Sequence, residues 1–381
     1  MFTHTSRWLL SVTIVLIGLS ACQKESPSGG QAVTPAIEPA TSDSMSDATP
    51  EAETERLNTW LNERYEEELH FSPMQLTMLG RKDLYDEIDD ASEEAQIKQV
   101  AWREQTVVQL KEQFDYDKLS TAGKESYDLW VFQTEQAVAD LAFMRHGYLF
   151  GELGGVEDWL PTFLINFHKV ETEEDMQAYI KRISGVSGVM DQVLELVKLR
   201  AGDGMRPPRF AFETAIDRAE KVITGLPFNG DTDSPILKDA KAKIEALVKS
   251  GDINENSAKE MLAQVEQKLT EQLQPAYAAF IDWLNSDMAN ADEQPRGVSA
   301  LSNGEAYYNR KLATYTTLPM TADDVHQQGL SEVKRILGEM QTIKESVGFD
   351  GDMAAFFEFI RTDPQFYYSN TDEGREGYLA D

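Results

Sequence analysis

Hydrolytic chemistry in this chain would have to come from its five histidines, His4, His70, His146, His168 and His326, or from serine and carboxylate groups. A zinc site that activates water needs two imidazoles one helical turn apart, a glutamate beside the first, and a further ligand. No two of these histidines lie within one turn, and H-E-x-x-H does not occur. Folding could still bring His146 and His168 together, but their spacing gives no support for it. The run Gly185-Val186-Ser187-Gly188 misses the G-x-S-x-G spacing and follows no strand pattern, which rejects a serine nucleophile elbow. Asp231, Asp233 and Asp239 lack calcium-loop spacing, and no glycine-rich phosphate loop follows a strand. No catalytic or metal-ligating residue can be assigned from these patterns.

Binding chemistry is better represented. Residues 304–318 crowd Tyr307, Tyr308, Arg310, Lys311, Tyr315 and three threonines into one short run, a polar-aromatic surface suited to a ligand. Packing at an interface, with hydroxyls reaching water, is the alternative use of such tyrosines. Residues 146–161 form a second candidate, a glycine-rich loop carrying Glu152, Glu157 and Asp158 that could line a cleft or simply turn between helical layers. Arg206 and Arg209 could hold a substrate carboxylate or pair with local acids. The expected cleft wall is therefore Tyr307, Tyr308 and Arg310, with Glu152 and Glu157 as weaker members.

The elements that must position these groups read as helices throughout, so the fold class is all-α. Apolar residues recur at helical spacing over residues 57–69, 92–114, 121–144, from 172 and from 210, and over 235–248 and 256–283, where Pro275 should introduce a kink. Ser72-Pro73 opens a short helix that Gly80 closes. Thr172 with Asp175, and Thr321 with Asp324, have capping-box spacing. The helix after Thr321 carries Val325, Gly329, Val333, Ile336 or Leu337, Met340, Ile343 and Val347, and Gly348 stops it. Gly185 and Gly188 predict a close helix crossing. A last helix starts near Thr371, so the helical body is expected to be incomplete at its carboxy-terminal end.

At the other end, one arginine precedes an apolar run from Trp8 to Leu19, too short to span a bilayer and typical of an export leader. Leu19-Ser20-Ala21-Cys22 resembles the lipobox of bacterial lipoproteins, with cleavage before Cys22 and acylation of its thiol. Gln23 stands where an aspartate resembles an inner-membrane retention signal, which favours the outer membrane, facing the periplasm. The expected organisation is a signal peptide over 1–21, a lipidated disordered tether over 22–54, and one helical domain over 55–381. The lone cysteine excludes an intrachain disulfide, so stability must come from packing. Removing the leader leaves 34 Lys and Arg against 66 Asp and Glu, a net charge of -32. Such a field repels nucleic acid and anionic headgroups and leaves neutral or cationic substrates open.

The pattern G-E-x-Y-Y at 304–308, followed by T-T-x-x-M-T-x-x-x-V-H-x-x-G-L-x-E-V-x-R-I-x-x-E-M, resembles the bacterial domain of unknown function 885 family. S-P-M-Q-L-T-M-L-G at 72–80, followed by an acidic loop, is similar to its early signature. The resemblance implies a long helical, secreted or lipid-anchored protein of zinc-peptidase-like type. It also implies zinc in the complete family member, a peptide as possible substrate, and the membrane as partner through acylated Cys22. The zinc sequence it leads one to expect, H-E-x-x-P-G-H, does not occur here. These residues then correspond to the substrate-cleft half of such a fold, without a complete catalytic site. The alternative is a non-catalytic binding or scaffold lipoprotein of the cell envelope.

Overall fold

The computed structural model describes residues 49–381; the leader, Cys22 and the tether as far as residue 48 lie outside the described residues. The protein is all-α, and among the described residues the only extended pairing is an isolated bridge between Leu226 and Asp233. Among the described residues ten α-helices precede residue 303: α1 (Pro50–Leu69), α2 (Pro73–Met78), α3 (Glu93–Gln113), α4 (Thr121–Leu141), α5 (Val156–Asn166), α6 (Glu173–Gly202), α7 (Arg209–Val222), α8 (Pro235–Ser250), α9 (Glu255–Lys268) and α10 (Gln274–Asp287). Four follow: α11 (Gly304–Thr316), α12 (Ala322–Ser346), α13 (Met353–Thr362) and α14 (Asp372–Ala380). The described residues fall into two compact units, one ending at Ser302 and the other Asn303–Asp381. No helix among the described residues is long and apolar enough to cross a membrane.

Helix starts follow side-chain chemistry closely. Ser72, Ser92, Ser120, Asn254, Asp352 and Thr371 each accept a hydrogen bond from a first-turn N–H, satisfying donors that have no partner within the helix. Thr172 with Asp175 and Thr321 with Asp324 form complete capping boxes. The first helix begins earlier than the expected tether boundary at 54. Thr49 caps it, Pro50 occupies its first turn, and Glu51 and Glu53 complement the positive end of the helix dipole.

The first unit has two apolar clusters. The smaller joins α1, α3 and α4 through Leu57, Trp60, Leu110, Phe114, Leu119 and Trp130. The larger is organised on α6, whose Met176, Tyr179, Ile183, Val186, Met190, Val193 and Val197 are buried at alternating three- and four-residue spacing. Helices α5 and α7 to α10 add Phe163, Phe212, Ile236, Val265, Tyr277 and Phe280 to the same core. Each such side chain, fully buried, stabilises the fold by about 1.5–3 kcal/mol.

Three local expectations are revised. The helix expected across 256–283 is interrupted by a π turn, Leu269–Leu273, immediately before Pro275. Proline has no N–H to give and its ring crowds the carbonyl four residues back, and a wider turn relieves both. Residues 156–161, expected as loop, form the first turn and a half of α5. The close approach predicted for Gly185 is real but is made to Ile88, a loop residue, with a Cβ at 185 falling 2.8 Å from Ile88 Cγ1; Gly188 faces open space.

In the second unit the stripe expected on α12 forms, and Gly348 ends the helix at φ 67°. Its apolar side chains stay largely exposed, while Lys344, on the same helix, is buried and donates to the Gly351 carbonyl. Phe349, Phe356, Phe359 and Phe366 make a small aromatic cluster around α13.

Candidate functional site

The polar-aromatic run 304–318 is helical over α11. Helical spacing sets Tyr307, Arg310, Lys311 and Thr314 along one side and Tyr308 with Tyr315 along the adjoining one. Tyr307 and Arg310 are half-buried, Tyr308 is exposed, and Tyr315 is 85% exposed. The Lys311 ammonium lies 5.5 Å from the centroid of the Tyr307 ring, a distance at which the ring quadrupole attracts it. Asn303 and Thr317 bracket the helix in left-handed backbone conformation, and the Thr317 N–H donates to the Ala313 carbonyl. Rings, hydroxyls and two cations are thus held on consecutive turns of one rigid element.

Glu152 and Glu157 belong to the other unit and differ from one another. Glu152 is exposed at the tip of the glycine-rich loop. Glu157 is 0% exposed, in the first turn of α5, and its Oε1 accepts from Arg218 Nε at 3.0 Å. Arg218 also donates to the carbonyls of Glu152 (3.0 Å) and Gly151, and the Tyr277 hydroxyl donates to the Glu157 carbonyl at 2.8 Å. Burial raises the Glu157 carboxyl above its usual range against the pull of its own N–H and of Arg218. A Cβ on Gly155 would stand 2.1 Å from Glu157 Oε2, so only glycine leaves room for this carboxylate. Glu157 therefore lies beneath the surface as the anchor of a loop clamp, and of the two acids only Glu152 presents a side chain to solvent.

A second cluster of strongly shifted groups surrounds His168. Its Nδ1 is 2.9 Å from Arg182 Nη1 and its Nε2 is 3.0 Å from the Asp175 carbonyl. Arginine can only donate, so Nδ1 accepts and the ring proton resides on Nε2. Burial, with Arg182 and Lys243 nearby, pushes the imidazole down to about 3. Arg182, wholly buried, donates further to the Glu87 carbonyl and Thr77 Oγ1, and burial lowers it to about 10. The Tyr85 ring stacks on His168 at 4.2 Å, and its hydroxyl donates to the Lys169 carbonyl while accepting from the Lys169 N–H. Burial opposes the charge on Asp175, but Lys82 and the N–H groups of Glu171 and Thr172 outweigh it and hold its carboxyl below the usual range. Adjacent to this knot, the Tyr179 hydroxyl donates to Asp239, and Lys243 pairs with Asp239 while donating to the carbonyls of Leu164 and Ile165 in the last turn of α5.

Such clustering of shifted groups is typical of active sites and also of structural networks. Both ring nitrogens of His168 are engaged, and the ring is sealed from solvent, so the knot serves as a structural joint between α2, α6 and the 81–91 loop. Sequence reasoning passed over Arg182. The available signal was a cation in core register on α6, between Tyr179 and Val186.

The remaining histidines are dispersed. His70 Nδ1 lies 2.7 Å from the Glu66 carbonyl, His146 Nε2 lies 3.0 Å from the Ser302 carbonyl, and His326 is exposed on α12. Among the described residues no three His, Cys, Asp or Glu side chains assemble into a metal-binding group. These residues do not fit the zinc ion implied by the resemblance. Arg206 makes a two-pronged pair with Asp287 at 2.7 and 3.0 Å, and Arg209 pairs with Glu213, so both arginines engage local acids.

The model of a family described as "Bacterial protein of unknown function (DUF885)" matches residues 73–381. A crystal structure of a candidate lipoprotein from Colwellia psychrerythraea is similar, with a TM-score of 0.68 at 19% identity, over 86% of this chain and 57% of that one. The likeness is one of fold, and this chain spans little more than half the length of that protein. No curated protein matches the chain.

Proposed function

This chain belongs to the bacterial family of unknown function DUF885, and from that premise we propose that it is a lipid-anchored envelope protein that holds a peptide-like ligand on α11. The observation that carries this reading is the composition of that helix, where Tyr307, Tyr308, Arg310, Lys311 and Tyr315 lie within 13 residues. Tyrosine rings cover apolar side chains of a ligand, while hydroxyl, guanidinium and ammonium groups donate to peptide carbonyls. The net charge of -31 favours neutral or cationic peptides over acidic ones. Acylated Cys22 would fix the protein to the outer membrane, the segment after it serving as a tether into the periplasm. The structural likeness to a candidate lipoprotein supports this anchoring. In a zinc-peptidase-like scheme the chain supplies the surface that grips substrate, and no catalytic residue is assigned to it.

The test is titration of the unlipidated chain from residue 23 onward with unstructured neutral and cationic peptides of mixed sequence. Tyr307→Ala, Tyr308→Ala and Arg310→Gln should each weaken binding by about tenfold, a loss of ~1.4 kcal/mol, with unfolding midpoints unchanged. Binding that is indifferent to all three substitutions would remove α11 from the site. Anchoring is tested separately, since Cys22→Ser should move the protein from the membrane fraction to the soluble one. A second reading, a scaffold lipoprotein that binds another protein, is favoured by the exposed apolar side of α12. It predicts no affinity for short peptides.

A further inference from the structure

Six large apolar side chains of α12, Leu330, Val333, Ile336, Leu337, Ile343 and Val347 at its C-cap, are between 42% and 63% exposed. Their spacing sets them on one side of the 25-residue helix and its C-cap, a stripe about 26 Å long at 1.5 Å per residue. Substantial packing of α12 within its own unit is limited to α13 at its far end. Within Asn303–Asp381 the only large apolar side chain that is buried is Phe356. Isolated exposed leucines are ordinary on soluble proteins, whereas an unbroken apolar ridge of this length marks an interaction surface.

The charges beside the ridge narrow its partner. Between residues 330 and 347, Glu332, Glu339 and Glu345 are balanced by Lys334, Arg335 and Lys344 in a chain whose net charge is -31. Arg335 is already paired with Glu332 and Glu339. This locally neutral border gives no attraction to a basic or acidic partner. A helix presenting its own apolar stripe matches both the length and the three- and four-residue spacing of the ridge.

From this surface we infer that α12 is a docking ridge for further helical polypeptide of the same fold. The Colwellia psychrerythraea structure supplies the reason for choosing this occupant. Its fold matches 86% of this chain but only 57% of its own length is covered, so the fold contains polypeptide that residues 49–381 do not represent. Ligand binding on α11 is a separate matter, and the inference stands whether or not that helix grips a peptide.

The experiment places the photoreactive residue benzoylphenylalanine at Val333, Leu337 or, as a control on the opposite side of the helix, Thr342. The protein is irradiated at full length in the cells that make it, and adduct peptides are mapped by mass spectrometry. The expected result is several-fold more adduct at 333 and 337 than at 342, joined to a helical DUF885-type segment outside residues 49–381. Adducts to residues 49–302 of the same chain, to a second copy, or to lipid would overturn the inference, as would equal labelling at 342 or no adduct at all. Val333→Ser with Leu337→Gln provides an independent arm, read with the probe at Ile343. Because the replaced side chains are half-exposed, the purified variant should unfold at an unchanged temperature while its adduct falls several-fold. Retention of the full adduct by that variant would also overturn the inference.

Discussion

Arg182 joins three parts of the first unit through one guanidinium, and its removal should show how much that junction stabilises. Arg182→Met leaves the Glu87 carbonyl, Thr77 Oγ1 and His168 Nδ1 buried without their donor. At roughly 1–3 kcal/mol for each unsatisfied group, the loss should be about 3 kcal/mol or more, measured by urea unfolding at pH 7. His168 makes a complementary prediction in pH. Its folded value of about 3 lies below the ordinary 6.5, so between those limits the unfolded chain binds the extra proton. Stability from this residue is therefore fully present above about pH 6.5 and declines on acidification, by up to ~1.4 kcal/mol per pH unit. His168→Gln should flatten the stability profile between about pH 6 and pH 4; an unaltered slope would show that the ring is already protonated in the fold. None of this was legible in the sequence, because a lone histidine and a lone arginine 14 positions apart carry no spacing signal. Glu157 illustrates the same limit, since its residue type was compatible with a cleft wall and its burial under Arg218 depends on a partner 61 residues away.

Helix beginnings were the most readable elements, because a cap is local chemistry: Thr172 and Asp175, or Thr321 and Asp324, need only each other and the backbone between them. Helix interruptions were less readable. Pro275 announces a disturbance, but whether the chain answers with a bend or a π turn depends on what packs against Leu269 and Leu273, both fully buried. The glycines of α6 give the sharpest test at this scale. Gly188→Ala meets nothing within 4 Å and should stabilise by about 0.5–1 kcal/mol through helix propensity. Gly185→Ala places its methyl 2.8 Å from Ile88 Cγ1 and should destabilise by roughly 1–3 kcal/mol as the 81–91 loop is displaced. Thermal unfolding of the two variants, with Ile88→Ala tested as a suppressor of the second, separates these effects. Equal shifts in both would mean that Ile88 moves aside at little cost.

The all-α class follows from periodicity alone, yet periodicity does not say which stripes become core. The stripe of α6 is sealed on every side, whereas that of α12, equally regular, remains open. Long-range partnership decides the difference. Since both extended apolar clusters lie before residue 303, the segment 49–302 should unfold cooperatively by itself, with a midpoint within a few degrees of the intact chain by circular dichroism. A broad, non-cooperative transition would show that the second unit is needed for the first to fold. One further consequence concerns residues 81–91, which have no regular secondary structure apart from a turn and are rich in acid. Tyr85, Asp86, Glu87 and Asp89 are each tied to Lys169, Lys181, Arg182 and Ser72 in turn. A protease must draw out an extended stretch of substrate before it can cut. Trypsin or endoproteinase Glu-C should therefore leave this strap intact for as long as the helices around it survive, and nicks within it would record unfolding of the whole first unit.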